Sequence, residues 1–149
     1  MIILLDSGPV GLLTYTGTKS SLSNECIGWF QAQSAAGAQF VLPGIVDYEI
    51  RRELMRIRKA SAIRRLDWLP TIAKLMPVDT DILALAAQLW AMARQAGAPT
   101  ADDKHLDIDV ILAAHARITA ERNVGEQVVV ATTNVRHLNR FVDARHWGF

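Results

Sequence analysis

The chain has 149 residues, half of them hydrophobic and 21% charged, which is enough for one well-buried domain and too apolar for a disordered segment. A formal net charge of +1 excludes a global pull toward nucleic acid or membrane, so any attraction to phosphate has to be local. The single cysteine, Cys26, excludes an internal disulfide and a cysteine-rich metal site, which suits a reducing cytoplasm. The opening MIILLD has no basic leader, and Asp6 interrupts its apolar run too early for a signal peptide. No run has the length of a membrane span. The expectation is a cytoplasmic protein of one domain, residues 1–149, with no membrane partner.

Ile2 to Leu5 reads as a buried strand closed by Asp6, Ser7, Gly8 and Pro9, with a helix starting at once and running through Leu13. Thr14 to Ser23 is polar and turn-rich. A second helix covers Leu22 to Ala36, with Cys26, Trp29 and Phe30 inward and Gly37 as its stop. Gln39 to Leu42 is a second strand, and Pro43-Gly44 turns it into a helix from Ile45 to Ile57. From Arg51 to Arg65 there are seven basic residues against one acid, Glu53. That run is either a solvated face or an arm for RNA phosphates or an acidic partner, with Arg51, Arg52 and Arg56 as candidates.

Leu75 to Val78 reads as a third strand, and Asp79 or Thr80 caps a helix through Ala96. The stretch HLDIDVILAAHA, residues 105–116, opens a helix that is apolar from Ile108 to Ala114 except at Asp109. His115 within it reads as a satisfied buried or interfacial histidine, and neither it nor His105 is needed as a base. Gln127 to Ala131 is the clearest strand, ending in Thr132, Thr133 and Asn134. Ala144 to Trp147 adds an edge strand. Alternating strands and helices predict a three-layer α/β/α architecture around a mainly parallel sheet of four or five strands.

In such sheets the ligand crevice lies beyond the carboxyl ends of the strands. Asp6 ends the first strand and Asn134 follows the last long one, while Glu49 sits early in the helix leaving the second. Asp109 opens a helix that runs antiparallel to the strand it precedes, so it reaches the same edge. Each has a plain alternative: Asp6 as a helix cap, Glu49 as a surface acid, Asn134 as a turn former. Together, carboxylates at one partly buried edge repel unless a cation offsets them, and no lysine or arginine lies within these motifs. Oxygen-only ligands select a hard ion such as Mg²⁺ or Mn²⁺.

The successive stretches IILLDSGP, IVDYEI, DVILAAHA and VVATTN resemble the motifs of the PIN domain, including the VapC-type toxins of bacterial toxin–antitoxin pairs. The likeness spans residues 1 to about 141. Asp6, Glu49 and Asp109 match its acidic positions, and Thr132 with Asn134 matches its Thr-x-Asp/Asn. Two departures stand out: Ile50 follows the glutamate where leucine is common, and Asn134 replaces a frequent aspartate. Asp102, Asp103 and Asp107 add carboxylates nearby, of which Asp107 is the preferred extra ligand.

The resemblance implies a metal-dependent endoribonuclease in which Asp6, Glu49 and Asp109 hold Mg²⁺ or Mn²⁺, as one ion or a pair about 3.5–4 Å apart. Asn134 and Asp107 would complete the ligand shell, with Ser7 and Thr132 supporting it from behind. It also implies a homodimer and neutralisation by a cognate antitoxin, with apolar surface supplied by Cys26 to Phe30 and Ile45 to Ile57. One rival is a PIN-like interaction module without catalysis. Another is a phosphotransferase of the haloacid dehalogenase type with Asp6 as nucleophile, but that chemistry needs an aspartate where Gly8 stands.

Overall fold

The computed structural model describes residues 1–17, 20–97 and 103–149. Its centre is β1 (Ile2–Leu5), four apolar residues that are all buried. Successive strand residues point to opposite faces, so four buried in a row require cover on both sides of the sheet. That cover comes from α1 (Ser7–Thr14), α2 (Ser21–Ala35) and the helices that follow.

β2 (Gln39–Pro43) leads directly into α3 (Gly44–Arg56), and α4 (Ala60–Trp68) returns the chain to β3 (Lys74–Met76). Gly44 fits where it does because a β-carbon there would sit 3.1 Å from the Met76 carbonyl oxygen. Asp79 then caps α5 (Thr80–Gln95), its carboxylate accepting the Ile82 N–H at 2.9 Å. α6 (Asp103–Arg122) packs along α5 and delivers the chain to β4 (Val128–Thr132). A single helical turn, α7 (Val135–Leu138), precedes β5 (Ala144–His146).

All five strands are parallel, in the order β3-β2-β1-β4-β5. The chain winds outward from β1 to β3, then crosses to the other side of β1 for β4 and β5. The winding direction therefore reverses between β1 and β4, and the crevice of such a sheet opens at that reversal. One apolar core surrounds the sheet, and a second joins α5 to α6 through Ile82, Leu89, Val110 and Ala114. At the far end Trp29 sits edge-on to Phe40 at 5.6 Å and donates its indole N–H to the Phe149 backbone oxygen at 3.3 Å.

The expected strands and long helices are present, with ends displaced by a residue or two. The third strand is the largest shift, Lys74–Met76 rather than Leu75–Val78. Two helices were not expected. α4 lies inside the basic run, where Arg64 and Arg65 mask a buried stripe of Ala62 and Leu66. α7 is one turn long, too short for a periodic apolar pattern to register.

His115 is buried as expected but differs in its bonding. It is fully shielded from solvent, and among the described residues neither ring nitrogen has a hydrogen-bond partner. Burial pushes its pKa down to about 4, and the nearby Asp79 carboxylate only partly opposes that shift. The unfolded chain, with an ordinary value near 6.5, therefore binds more protons than the folded one between those limits. Stability from this residue is fully present above pH 6.5 and declines as the pH falls toward 4. The loss is on the order of 3 kcal/mol. Urea midpoints from pH 7 to 4 should fall more steeply for the wild type than for His115→Leu, which removes this titration; parallel curves would refute the assignment.

Candidate active site at the carboxyl edge of the sheet

Asp6 follows β1 without a gap and takes extended backbone angles, so its side chain stands at the reversal point between β1 and β4. One carboxylate oxygen, Oδ1, accepts the Ser7 N–H at 2.6 Å, which caps α1. The other, Oδ2, accepts the Thr132 hydroxyl at 2.6 Å, reaching the end of β4. Thr132 is fully buried, and its Oγ1 in turn accepts the Asn134 N–H at 2.8 Å. One hydroxyl thus ties the acid of β1 to the turn after β4. Gly8 allows the close fit beside it, since a β-carbon there would lie 2.6 Å from the Thr133 Oγ1.

Asp109 occupies the second turn of α6, its side chain 19% exposed, with Oδ2 lying 3.6 Å from Nδ1 of His137 on α7. That contact sets Asp109 beside α7, the turn that follows β4. Glu49 lies in the second turn of α3, half-buried, with Oε2 shielded from solvent. α3 packs against both α1 and α6, the helices next to the other two acids. Among the described residues, no three His, Cys, Asp or Glu side chains stand close enough together to form a ligand set for a metal. The recorded contacts form two pairs, Asp6 with Thr132 and Asp109 with His137.

The remaining candidates divide. Ser7 and Thr132 support Asp6 as expected, Ser7 through its backbone N–H rather than its hydroxyl. Asn134 enters through its backbone alone, with its side chain exposed. Asp107 is exposed on α6 and lines a furrow with Leu83 and Trp90 of α5. Two residues before Asp109 on a helix is about 200° around the axis, so its position gives the extra-ligand role no support. Asp102 lies outside the described residues, as do the side chains of Asp103 and His105.

The basic candidates are occupied within the chain. Arg51 forms a two-pronged pair with Asp47 at 2.9 Å and reaches Asp67 on α4 at 2.7 Å. Arg56 grips Glu53, and the Arg52 guanidinium lies 5.2 Å from the Tyr48 ring centre. Of the two readings of the basic run, these contacts favour the solvated face for Arg51 and Arg56.

His137 is the site residue that sequence reasoning missed. Its signal is spacing: three positions after Asn134, one helical turn carries it back to the same side.

No family model and no curated protein matches the sequence. Solved structures do match it over their whole length. VapBC-1 from nontypeable Haemophilus influenzae aligns with 100% of this chain and 100% of its own at 15% identity and a TM-score of 0.70. VapBC2 from Rickettsia felis, bound to a DNA fragment from its promoter, covers 99% of both chains at 16% identity and 0.68. FitAcB from Neisseria gonorrhoeae covers 99% of both at 18% and 0.65. The fold is PIN-like. Identities this low carry the PIN-like architecture from one chain to another but not the activity, so the chemistry rests on the residues themselves.

The Thr132 hydroxyl serves two partners inside the PIN-like fold, one of them a carboxylate. Thr132→Val keeps the shape and removes both bonds, and should cost about 1–3 kcal/mol. Thr132→Ser should lose much less. Equal melting temperatures for the Val variant and the wild type would show that the hydroxyl does not hold Asp6 in place.

Proposed function

We propose that this chain is a divalent-metal-dependent endoribonuclease acting in the cytoplasm, and the toxin half of a toxin–antitoxin pair. The observation that carries the reading is the crevice between β1 and β4, where Asp6 meets Thr132 while Asp109 is held to the same edge by His137. The donor atoms are of the type a hard ion takes, although among the described residues the three side chains do not converge within one ligand shell. Asp6, Glu49 and Asp109 offer only oxygen, and Glu49 Oε2 and Asp109 Oδ2 are turned away from bulk water. A bound Mg²⁺ or Mn²⁺ would lower the pKa of a water and offset charge developing on the phosphate.

The chain's own residues do the positioning. The Ser7 N–H and the Thr132 hydroxyl each engage one Asp6 oxygen, so the carboxylate cannot rotate freely. The buried Thr132 methyl and the β1 core close the floor of the crevice to water. α3 and α6, which carry Glu49 and Asp109, pack against each other beside the crevice. Asp6→Asn and Asp109→Asn should each lower Mn²⁺-dependent cleavage of single-stranded RNA by at least about 100-fold in a chain that stays folded. Millimolar Mn²⁺ should raise the wild-type melting temperature and leave the variants nearly unmoved. Retained cleavage in both variants would falsify the assignment.

The VapBC structures pair a toxin with its antitoxin, which supports a cognate antitoxin for this chain. The surface offered to it is a groove of about 660 Å³ between α1, α2 and α4, lined by Leu13, Ile27, Phe30, Trp68 and Ile72 with Arg65 at its rim. Trp68 and Ile72 are 57% and 43% exposed. An apolar segment carrying an acid opposite Arg65 suits such a lining. The groove revises the expected docking face: Cys26 and Trp29 turn into the core, and α4 takes the place given to α3. A homodimer belongs to the same proposal and rests on the family resemblance alone. Trp68→Asp should abolish co-purification with the product of an adjacent antitoxin gene and leave RNA cleavage unchanged. Undiminished co-purification would exclude the groove.

A further inference from the structure

Asp6 and Asp109, with Glu49 on the adjoining α3, repel a polyanionic strand, and a net charge of +1 supplies no long-range attraction to overcome it. If the nuclease reading above holds, some local group has to receive the RNA backbone. The three arginines expected to do so already have partners, with Arg51 bridging Asp47 and Asp67, Arg56 on Glu53, and Arg52 over Tyr48.

α7 is placed differently. It begins three residues after Thr132, so it stands at the mouth of the crevice rather than on a flank. Its His137 imidazole touches Asp109 on one side and is still 40% exposed. Arg136 beside it is exposed and, among the described residues, carries no recorded hydrogen bond or ion pair. Arg140 braces the turn from behind, its Nε donating to the His137 backbone oxygen at 3.1 Å while its guanidinium lies 4.7 Å from the Phe141 ring centre. A one-turn helix held in this way is a rigid support for two nitrogen-bearing side chains beside an acid of the site.

We propose that α7 is the RNA-backbone contact of this chain, with Arg136 and His137 receiving a phosphate of the substrate strand next to Asp109. His137 here is a substrate-positioning residue, and the proposal assigns it no proton transfer. Because the nuclease reading is a separate claim, the test has a binding arm that needs no cleavage.

A fluorescein-labelled single-stranded oligoribonucleotide of mixed sequence, titrated in EDTA at several salt concentrations, reads phosphate contacts alone. Arg136→Glu should weaken binding about tenfold at low salt and reduce the slope of log K against log salt by about 0.7. His137→Ala should weaken it severalfold, and Arg136→Lys should restore most of the wild-type affinity. Arg64→Glu, an equal charge change on the exposed side of α4, should have little effect. In the cleavage arm with Mn²⁺, Arg136→Glu should raise KM about tenfold with kcat changed less than about threefold.

Wild-type affinity and slope in both Arg136→Glu and His137→Ala overturn the proposal, even if the wild type cleaves RNA. Absence of wild-type binding at low salt overturns it as well. Loss of binding in the α7 variants of a protein that never cleaves RNA sustains α7 as the contact and sinks the nuclease reading instead.

Discussion

The bond from Thr132 to Asp6 holds together the two strand ends on which the rest of the site depends. β1 and β4 are neighbours in the sheet although nearly the whole chain separates them, and their ends diverge because the winding reverses there. A carboxylate at such a divergence needs donors, since burying it unpaired would cost several kcal/mol. Ser7 and Thr132 supply them with one bond to each oxygen. Each oxygen keeps a further lone pair beyond these bonds, so the carboxylate can serve the fold without being used up by it.

How much of this was legible in the sequence depended on how many constraints each residue satisfied at once. β1 could be read because burial on both faces demands an unbroken apolar run, and Asp6 because it ends that run abruptly. The VVVA run of β4 was legible for the same reason. α4 was hidden because its buried stripe is narrow and the charges around it suggested an open surface. Asp107 and Asp109 look equivalent in a string, yet two steps along a helix place them on opposite sides, one toward α7 and one beside Trp90. His137 was missed because a one-turn helix leaves no periodic trace.

The arginines carry a related lesson. A run of like charge in sequence says little until its partners are known, and those of Arg51 come from two helices. The pair with Asp67 joins α3, which bears Glu49, to the helix whose next residue is Trp68. One wall of the apolar groove and one flank of the acidic crevice therefore share a single guanidinium. Exposed ion pairs contribute little stability, but a planar fork gripping two carboxylates is directional and sets how the helices lie.

The central place of β1 also has a consequence for how the protein comes into being. Asp6 leaves the ribosome well before the hydroxyl that holds it, which lies 126 positions later. β1 can pair with β2 early, but its other edge stays open until Val128–Thr132 has been translated. A nascent chain halted before that point has its leading acid and no crevice around it. The pocket is closed only when β4 arrives, so a product terminated before that strand lacks the site.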